Sequence, residues 1–390
     1  MAVSRLRHVA VLIESSRAYG RGLIEGVMRY SREQGDWTIS FEPRGLEAPP
    51  PWLVKWRGDG ILARLPKPEM ARSVAAKGLP VVDLYSSARP SGLPMVGGDN
   101  PLIARLALDH FWERGLRQFA YCGLPAGENR YIAQRGDDFC RLAEAAGGSC
   151  ALFAAQTSAL AVADWDREQE RIAAWLRRLP KPVGVLACFD ERGFQVVNAC
   201  RQAGLRVPEE VAVLAVGNDA LLCEMATPAM SSIDLDAQWT GYEAAALLDR
   251  LMQGARPPRH PICIAPRGVV ARRSTDVLAV EDADVAAALR FIRDRAADGL
   301  RVEDVLRHVA VSSSVLERKF RHFLGRTPKA ELLRVQMARA KELLAETDLP
   351  LKELAQRCGF GSEKYFSDAF CRVNGIRPGV YRRQHRSTGI

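Results

Sequence analysis

The sequence predicts two architectures in one chain: an α/β part built on parallel sheets, then an all-α part. Three observations predict it. Short runs rich in Val, Ile and Leu alternate with helix-period segments over roughly the first 270 residues. That rhythm is lost near Ser274. Beyond it only helical patterns remain, and one pattern, a short helix, a tight break and a second helix, occurs twice.

The strand-like runs are His8–Ile13, Gly60–Ala63, Pro80–Leu84, Gln118–Cys122, Val183–Ala187 and Val211–Val216. Between several of them lie helix-period segments at Gly20–Gln34, Ala104–Arg114, Trp165–Leu179 and Trp239–Met252. Continuous apolar strands alternating with helices imply parallel sheets covered on both faces. Such sheets take right-handed connections and bind ligands at the carboxyl ends of their strands. The loss of rhythm divides the chain into residues 1–273, a linker at 274–284, and residues 285–390. Pro49-Pro-Pro51 marks a local loop or the start of a helix.

In the first helix pair of the tail, Val302, Val305, Leu306 and Val309 form the i, i+3, i+4, i+7 stripe of a packed helix. Ser312 is placed to cap the next helix, which turns Val315, Leu316 and Phe320 inward. Ser313, Ser314, Glu317, Arg318 and Arg321 then face outward. In the second pair Leu351, Leu354 and Ala355 pack, Gly359 makes the turn, and Ser362 caps a helix burying Phe366, Ala369 and Phe370. That leaves Glu363, Lys364, Ser367, Asp368 and Arg372 outward. Between the pairs, Pro328 opens a helix ending near Thr347. About 18 residues make a rod of roughly 27 Å. Such a rod suits two insertion helices near the ~34 Å spacing of successive major-groove faces.

Charge supports this. The chain carries +9 in all. From Asp282 onward there are 21 Lys+Arg against 14 Asp+Glu, so most of the excess sits on the helical tail, where phosphate binding needs it. A chain of 390 residues with 47% apolar content has room for two or three cores. Nine cysteines form no CxxC pair and no zinc-type cluster. Cys122, Cys188 and Cys263 lie in apolar runs, and the set reads as buried thiols in a reducing compartment. No secretion signal and no stretch of about 20 apolar residues is present, so a soluble cytoplasmic protein without membrane attachment is expected. GxGxxG, GxxxxGK[ST], GxSxG and HExxH are absent, and the six histidines are scattered. No catalysis, metal or cofactor is therefore expected.

The stretch from about Ala286 to Arg383 resembles the DNA-binding domain of the AraC family. It carries that family's pattern Ala338…Ala340…Leu343-Leu344, Leu354-Ala355…Gly359-Phe360…Tyr365-Phe366…Phe370, Gly375, Pro378 and Tyr381-Arg382. The resemblance implies binding to double-stranded DNA, with base-edge contacts by Ser314, Glu317 and Arg318 in the first unit. In the second it implies contacts by Glu363, Lys364, Ser367 and Asp368. An arginine such as Arg318 suits guanine, and a carboxylate such as Glu317 or Asp368 accepts from cytosine. Asp368 stands where many relatives carry a basic residue.

Residues 6–272 resemble the sugar domains of the LacI/GalR regulators, which are periplasmic-binding-protein-like, with two lobes around a cleft. The resemblance rests on Glu14-Ser-Ser-Arg17-Ala-Tyr19-Gly ahead of a helix and on Val96-Gly-Gly-Asp99-Asn100. It also rests on Gln134-Arg135-Gly-Asp-Asp-Phe139, Ala187-Cys-Phe-Asp190 and Ala215-Val-Gly-Asn-Asp219. The small residues after Tyr19 are expected to pack their helix closely on the sheet. The implied ligand is a neutral sugar: Asp and Arg hydrogen-bond its hydroxyls, and an aromatic ring covers its C–H face. Asp219 and Arg135 lead the implied contacts, followed by Asp99, Asp190 and Tyr19, then Arg17 and Glu14. Phe189 replaces an Asn common in that family.

A sugar-type core ahead of an AraC-type tail resembles the pentose-operon regulators built in that order. This implies a transcriptional activator with D-xylose as effector; another pentose, a hexose or a nucleoside are the alternatives, and a sugar-binding protein without regulatory role is a further one. It also implies a homodimer and contact with RNA polymerase.

Overall fold

The computed structural model describes residues 6–35, 37–43, 50–65, 68–84, 92–156, 165–276 and 282–385. They form two compact units, residues 6–111 with 116–276, and 282–385 with 112–115.

The first unit holds two principal sheets. In one lobe β1 (Arg7–Leu12), β2 (Trp37–Phe41), β3 (Gly60–Ala63) and β4 (Val81–Asp83) lie in the order β2-β1-β3-β4, all parallel. A short pair, β5 (Val96–Gly98) and β11 (Ile262–Ile264), is also parallel. The other lobe is a six-stranded sheet. It uses β6 (Gln118–Cys122), β7 (Ser149–Leu152), β8 (Val183–Ala187), β9 (Val211–Val216), β10 (Ser231–Asp234) and β12 (Gly268–Val270). Its order is β12-β10-β9-β8-β6-β7, with only the β10/β12 pair antiparallel. Every residue of β8 and β9 is buried, which is why those runs are apolar without alternation.

The covering helices are α1 (Ala18–Tyr30), α2 (Pro68–Ala75), α3 (Asn100–Trp112), α4 (Arg130–Ala145), α5 (Trp165–Arg178), α6 (Asp190–Ala203), α7 (Ala220–Met225) and α8 (Ala237–Met252). One expectation is corrected here. Of the small residues of α1, Gly22 and Gly26 serve its contact with α8 rather than with the sheet, whereas Gly20 packs on the chain just beyond β1, where a Cβ would lie 2.0 Å from the Glu14 carbonyl oxygen; a Cβ on Gly26 would lie 1.9 Å from that of Gln238. A Cβ on Gly241 would lie 2.0 Å from that of Leu23, so the two helices meet backbone to backbone. Two cysteine expectations also change. Cys263 is exposed, because β11 belongs to a two-stranded pair rather than a covered sheet. Cys140 on α4 is bonded to Cys150 on β7. Cys122, Cys188, Cys200, Cys223 and Cys358 are buried thiols.

The expected linker is narrower at both ends than 274–284. Ser274 and Thr275 are fully buried: the Ser274 hydroxyl donates to the Val213 carbonyl (2.6 Å), and Thr275 Oγ1 meets His110 Nε2 (2.8 Å). Asp282 already caps the next helix, accepting from the amides of Asp284 and Val285. Residues 277–281 lie outside those described, as does Pro49.

The second unit is helical: α9 (Ala283–Arg295), α10 (Val302–Val309), α11 (Ser313–Leu324), α12 (Pro328–Glu346), α13 (Leu351–Arg357), α14 (Glu363–Asn374) and α15 (Pro378–His385). It has two cores. Val285, Leu289, Ile292, Val305, Leu316, Phe320 and Leu332 form the first. Met337, Ala340, Leu344, Leu354, Phe366, Phe370 and Tyr381 form the second. Helix α12 supplies side chains to both, and at 19 residues it is about 28 Å long. Gln336 lies buried where they meet, its Nε2 donating to the Ala296 and Gly359 carbonyls. Among the described residues, no helix is long and apolar enough to cross a membrane.

Candidate functional site

The first unit encloses a cavity of about 110 Å³. Arg17, Ala18, Tyr19, Arg64, Leu84, Gly97, Gly98, Asn129, Tyr131, Ile132, Arg135, Cys188, Phe189, Asp190, Glu191, Val216, Gly217, Asp219 and Leu235 line it. Most follow the carboxyl ends of strands or open the helices after them, where an open parallel sheet presents its loops. Five of the seven sugar-contact residues named above, Tyr19, Arg17, Arg135, Asp190 and Asp219, are among the lining.

Arg135 is held in place from two sides. Its Nε donates to Asn100 Oδ1 (2.9 Å) and its Nη1 to the Cys188 carbonyl (2.7 Å), with the Tyr131 ring 5.9 Å from the guanidinium carbon. Asp190 opens α6 and is 4% exposed. Its Oδ2 accepts from the Asp219 amide (2.7 Å) and its Oδ1 from the Ser232 hydroxyl (2.6 Å). Burial pushes its carboxyl from 3.8 up to about 6. Asp219 has two tasks: it lines the cavity, and its Oδ1 caps α7 through the amides of Leu221 and Leu222. Arg17 pairs with Glu191 across 3.0 Å.

Asp99 and Glu14 are placed differently. Asp99 does not line the cavity; its Oδ1 accepts from the Leu102 amide (3.0 Å) at the start of α3. The neighbouring Asn100 is the one turned in towards Arg135. Glu14 is 1% exposed and bonded to Nη1 of Arg64, while its Oε2 has no hydrogen-bond partner among the described residues. It is the counter-charge for Arg64, whose guanidinium carbon sits 5.3 Å from the Tyr19 ring centre.

Arg64, Asn129 and Tyr131 line the cavity without having been singled out from sequence. For Arg64 a signal existed: it directly follows the apolar run Gly60–Ala63, at a strand's carboxyl end. Asn129 caps α4 through the Ile132 amide (3.0 Å). The Tyr131 hydroxyl is buried without a hydrogen-bond partner among the described residues, and burial raises its pKa. The lining thus carries three cations (Arg17, Arg64, Arg135) and three anions (Asp190, Glu191, Asp219) beside two tyrosines. That balance suits a neutral solute rich in hydroxyls better than an ion.

In the second unit, Ser312 and Ser362 cap α11 and α14 through the amides of Val315 and Tyr365. On α11, Ser313, Ser314, Arg318 and Arg321 are exposed and Glu317 is half-buried; on α14, Glu363, Lys364, Asp368 and Arg372 are exposed and Ser367 is half-buried. Tyr365, also exposed, adds an aromatic ring to the first turn of α14. Ser313, Glu317, Lys329, Gln336 and Tyr365 border one groove that runs between the two helix pairs along α12. Among the described residues, no group of three or more His, Cys, Asp or Glu is placed to hold a metal ion.

A cleft of this kind and a double helix-turn-helix on one chain define a ligand-responsive transcriptional regulator. Family comparison agrees: residues 108–275 match a periplasmic binding protein-like domain, 8–99 an XylR N-terminal domain and 305–384 a helix-turn-helix domain. The chain is 31% identical over 383 residues to the xylose operon regulatory protein of Escherichia coli (strain K12), covering 96% of this chain and 97% of that one. Its identity to the Haemophilus influenzae protein of the same name is 29% over 380 residues, at the same coverage. A solved structure of the xylose-binding transcription activator xylR aligns with 98% of this chain and 100% of that one, with a TM-score of 0.63 and 28% identity. The chain belongs to the family of xylose operon regulatory proteins.

Proposed function

We propose that the protein is a D-xylose-responsive activator of sugar-utilisation genes, working in the cytoplasm as a homodimer and without catalytic activity. The observation that carries this reading is the charge-balanced cleft on a chain that also bears twin insertion helices. Asp219, Asp190 and Arg135 would bond sugar hydroxyls, with Arg64 and the orphan Tyr131 hydroxyl as further partners. Tyr19 would cover the C–H face. Sugar would favour a closed cleft by binding it more tightly than the open one, since only differential affinity shifts such an equilibrium. Closure would change how the two helix pairs meet repeated half-sites and RNA polymerase. The contacts assigned to DNA are Ser313, Ser314, Glu317, Arg318, Arg321, Glu363, Lys364, Ser367, Asp368 and Arg372.

The test is calorimetric titration with D-xylose, other pentoses, hexoses and nucleosides, followed by anisotropy on a duplex selected from a random pool, with and without each ligand. D-xylose is expected to bind and to tighten the duplex complex. A different best ligand would reassign the effector. Failure of every ligand to alter either melting temperature or duplex affinity would end the effector reading.

A further inference from the structure

Arg272 lies outside the cleft lining, just before the turn Arg273–Thr275, which precedes the last described residue of the first unit, Asp276. Its side chain is fully engaged. Nε meets Glu224 Oε1 (2.8 Å), Nη1 donates to the Met230 carbonyl (3.1 Å) and Nη2 donates to Asn218 Oδ1 (3.1 Å). Its backbone is clamped as well: the Arg272 amide donates to Ser231 Oγ (2.7 Å), and that hydroxyl lies 3.0 Å from the Arg272 carbonyl.

Asn218 connects this clamp to the cleft. It has a left-handed backbone (φ 55°) between Gly217 and Asp219, both of which line the cavity. Its amide donates to Ser232 Oγ (3.0 Å), and that hydroxyl donates to the Asp190 carboxylate that also holds the Asp219 amide. On the other side, the residues after Arg272 are locked in: Ser274 bonds the Ser231 amide (2.8 Å), and Thr275 bonds Ser231 and His110. A continuous set of hydrogen bonds therefore runs from the cleft carboxylates through Asn218 and Arg272 to the segment by which the chain leaves the unit.

We infer that Arg272 is the positioning residue that passes the state of the cleft to that exit segment, an inference that rests on reading the cleft as the effector site. A planar guanidinium holding three partners in fixed directions carries a displacement of the 217–219 loop into residues 272–275; a flexible or neutral side chain lets the loop move alone. Spatial continuity is not itself coupling. The quantity that decides is the ratio of duplex Kd without D-xylose to that with it, measured on the full-length chain.

For Arg272→Gln, D-xylose affinity and sugar-free duplex affinity are expected to stay within about threefold of wild type, while the ratio falls at least about fivefold, the lower end of usual allosteric couplings. Asn218→Gly gives an independent route, since glycine adopts the left-handed conformation freely and only the acceptor is lost. It should lower the ratio by the same factor, and the double variant should lose nothing more. Glu224→Gln, at a largely exposed partner (65%), should leave the ratio unchanged. Folded variants that keep the wild-type ratio, or additive losses in the double variant, overturn the inference while the effector reading stands. A wild-type protein that binds no D-xylose, or binds it without changing duplex affinity, removes both.

Discussion

On the DNA-reading helices, Ser313, Ser314, Arg318 and Arg321 are exposed, and their placing follows from the pitch of one helix capped by Ser312. In the cleft, Arg64, Arg135 and Asp190 are buried and held by partners 29 to 53 positions away along the chain. The outward residues of a helix contribute little to stability. Those of the cleft bear on stability directly, because a charge withdrawn from water must be compensated by the fold itself.

The largest effect expected from this contrast is on stability. Arg64→Met leaves the Glu14 carboxylate buried without its counter-charge, at a cost of about 3–5 kcal/mol in denaturant unfolding of the first unit. Arg318→Ala should shift unfolding by less than about 0.5 kcal/mol. It should instead remove roughly 1–3 kcal/mol of preference for the selected duplex over a random one. Equal stability losses in the two variants would break the comparison.

A second test looks within the reading unit, where the two turns share a left-handed residue but not its surroundings. Ala310 adopts φ 54° at the first turn, and Gly359 adopts φ 78° at the second. A Cβ on Gly359 would lie 2.2 Å from the Ala296 carbonyl oxygen and 2.9 Å from Gln336 Nε2. Gly359→Ala should therefore cost roughly 2–5 kcal/mol, combining backbone strain with overpacking. Ala310→Gly relieves the same backbone strain with no neighbour to move, and should change stability by no more than about 1 kcal/mol. Thermal unfolding of the two variants checks the pair.

The smallest effect concerns Asp190. Its folded pKa, about 6, lies above the ordinary 3.8, because burial disfavours the carboxylate. The folded protein thus takes up a proton as the pH falls from about 6 towards 4. This group's contribution to stability grows over that window and fades as the pH rises through about 6. The difference between wild type and Asp190→Asn should slope by at most about 1.4 kcal/mol per pH unit there and flatten above pH 7. A flat difference throughout would mean that the carboxyl titrates in the folded protein as it does in the unfolded chain.

Periodicity located α10 to α14, since an exposed or buried helical position is set by residues three and four away, and residue type placed the caps Ser312 and Ser362. It also located the main strands, whose own residues are almost all apolar. Asp219 and Asp190 were legible as acidic ends of apolar runs, and the same logic would have reached Arg64. Asp99 and Asn100 show the limit: they are adjacent, both polar and both at a helix start, yet one caps the helix and the other orients Arg135. Nothing within a few residues of either distinguishes them. Glu14 resembled a ligand contact for the same reason and is instead the partner of a side chain fifty positions on.

Local order in the amino acids was enough to determine the succession of strands and helices, the two capped insertion helices and the division into two units. The folded chain alone decided which polar groups face the cleft, which glycines join α1 to α8, and that Ser274 and Thr275 are buried in the first unit. The physical reason is range: helix pitch and strand pairing report on near neighbours, whereas compensation of buried charge and backbone contact depend on residues that meet only after folding.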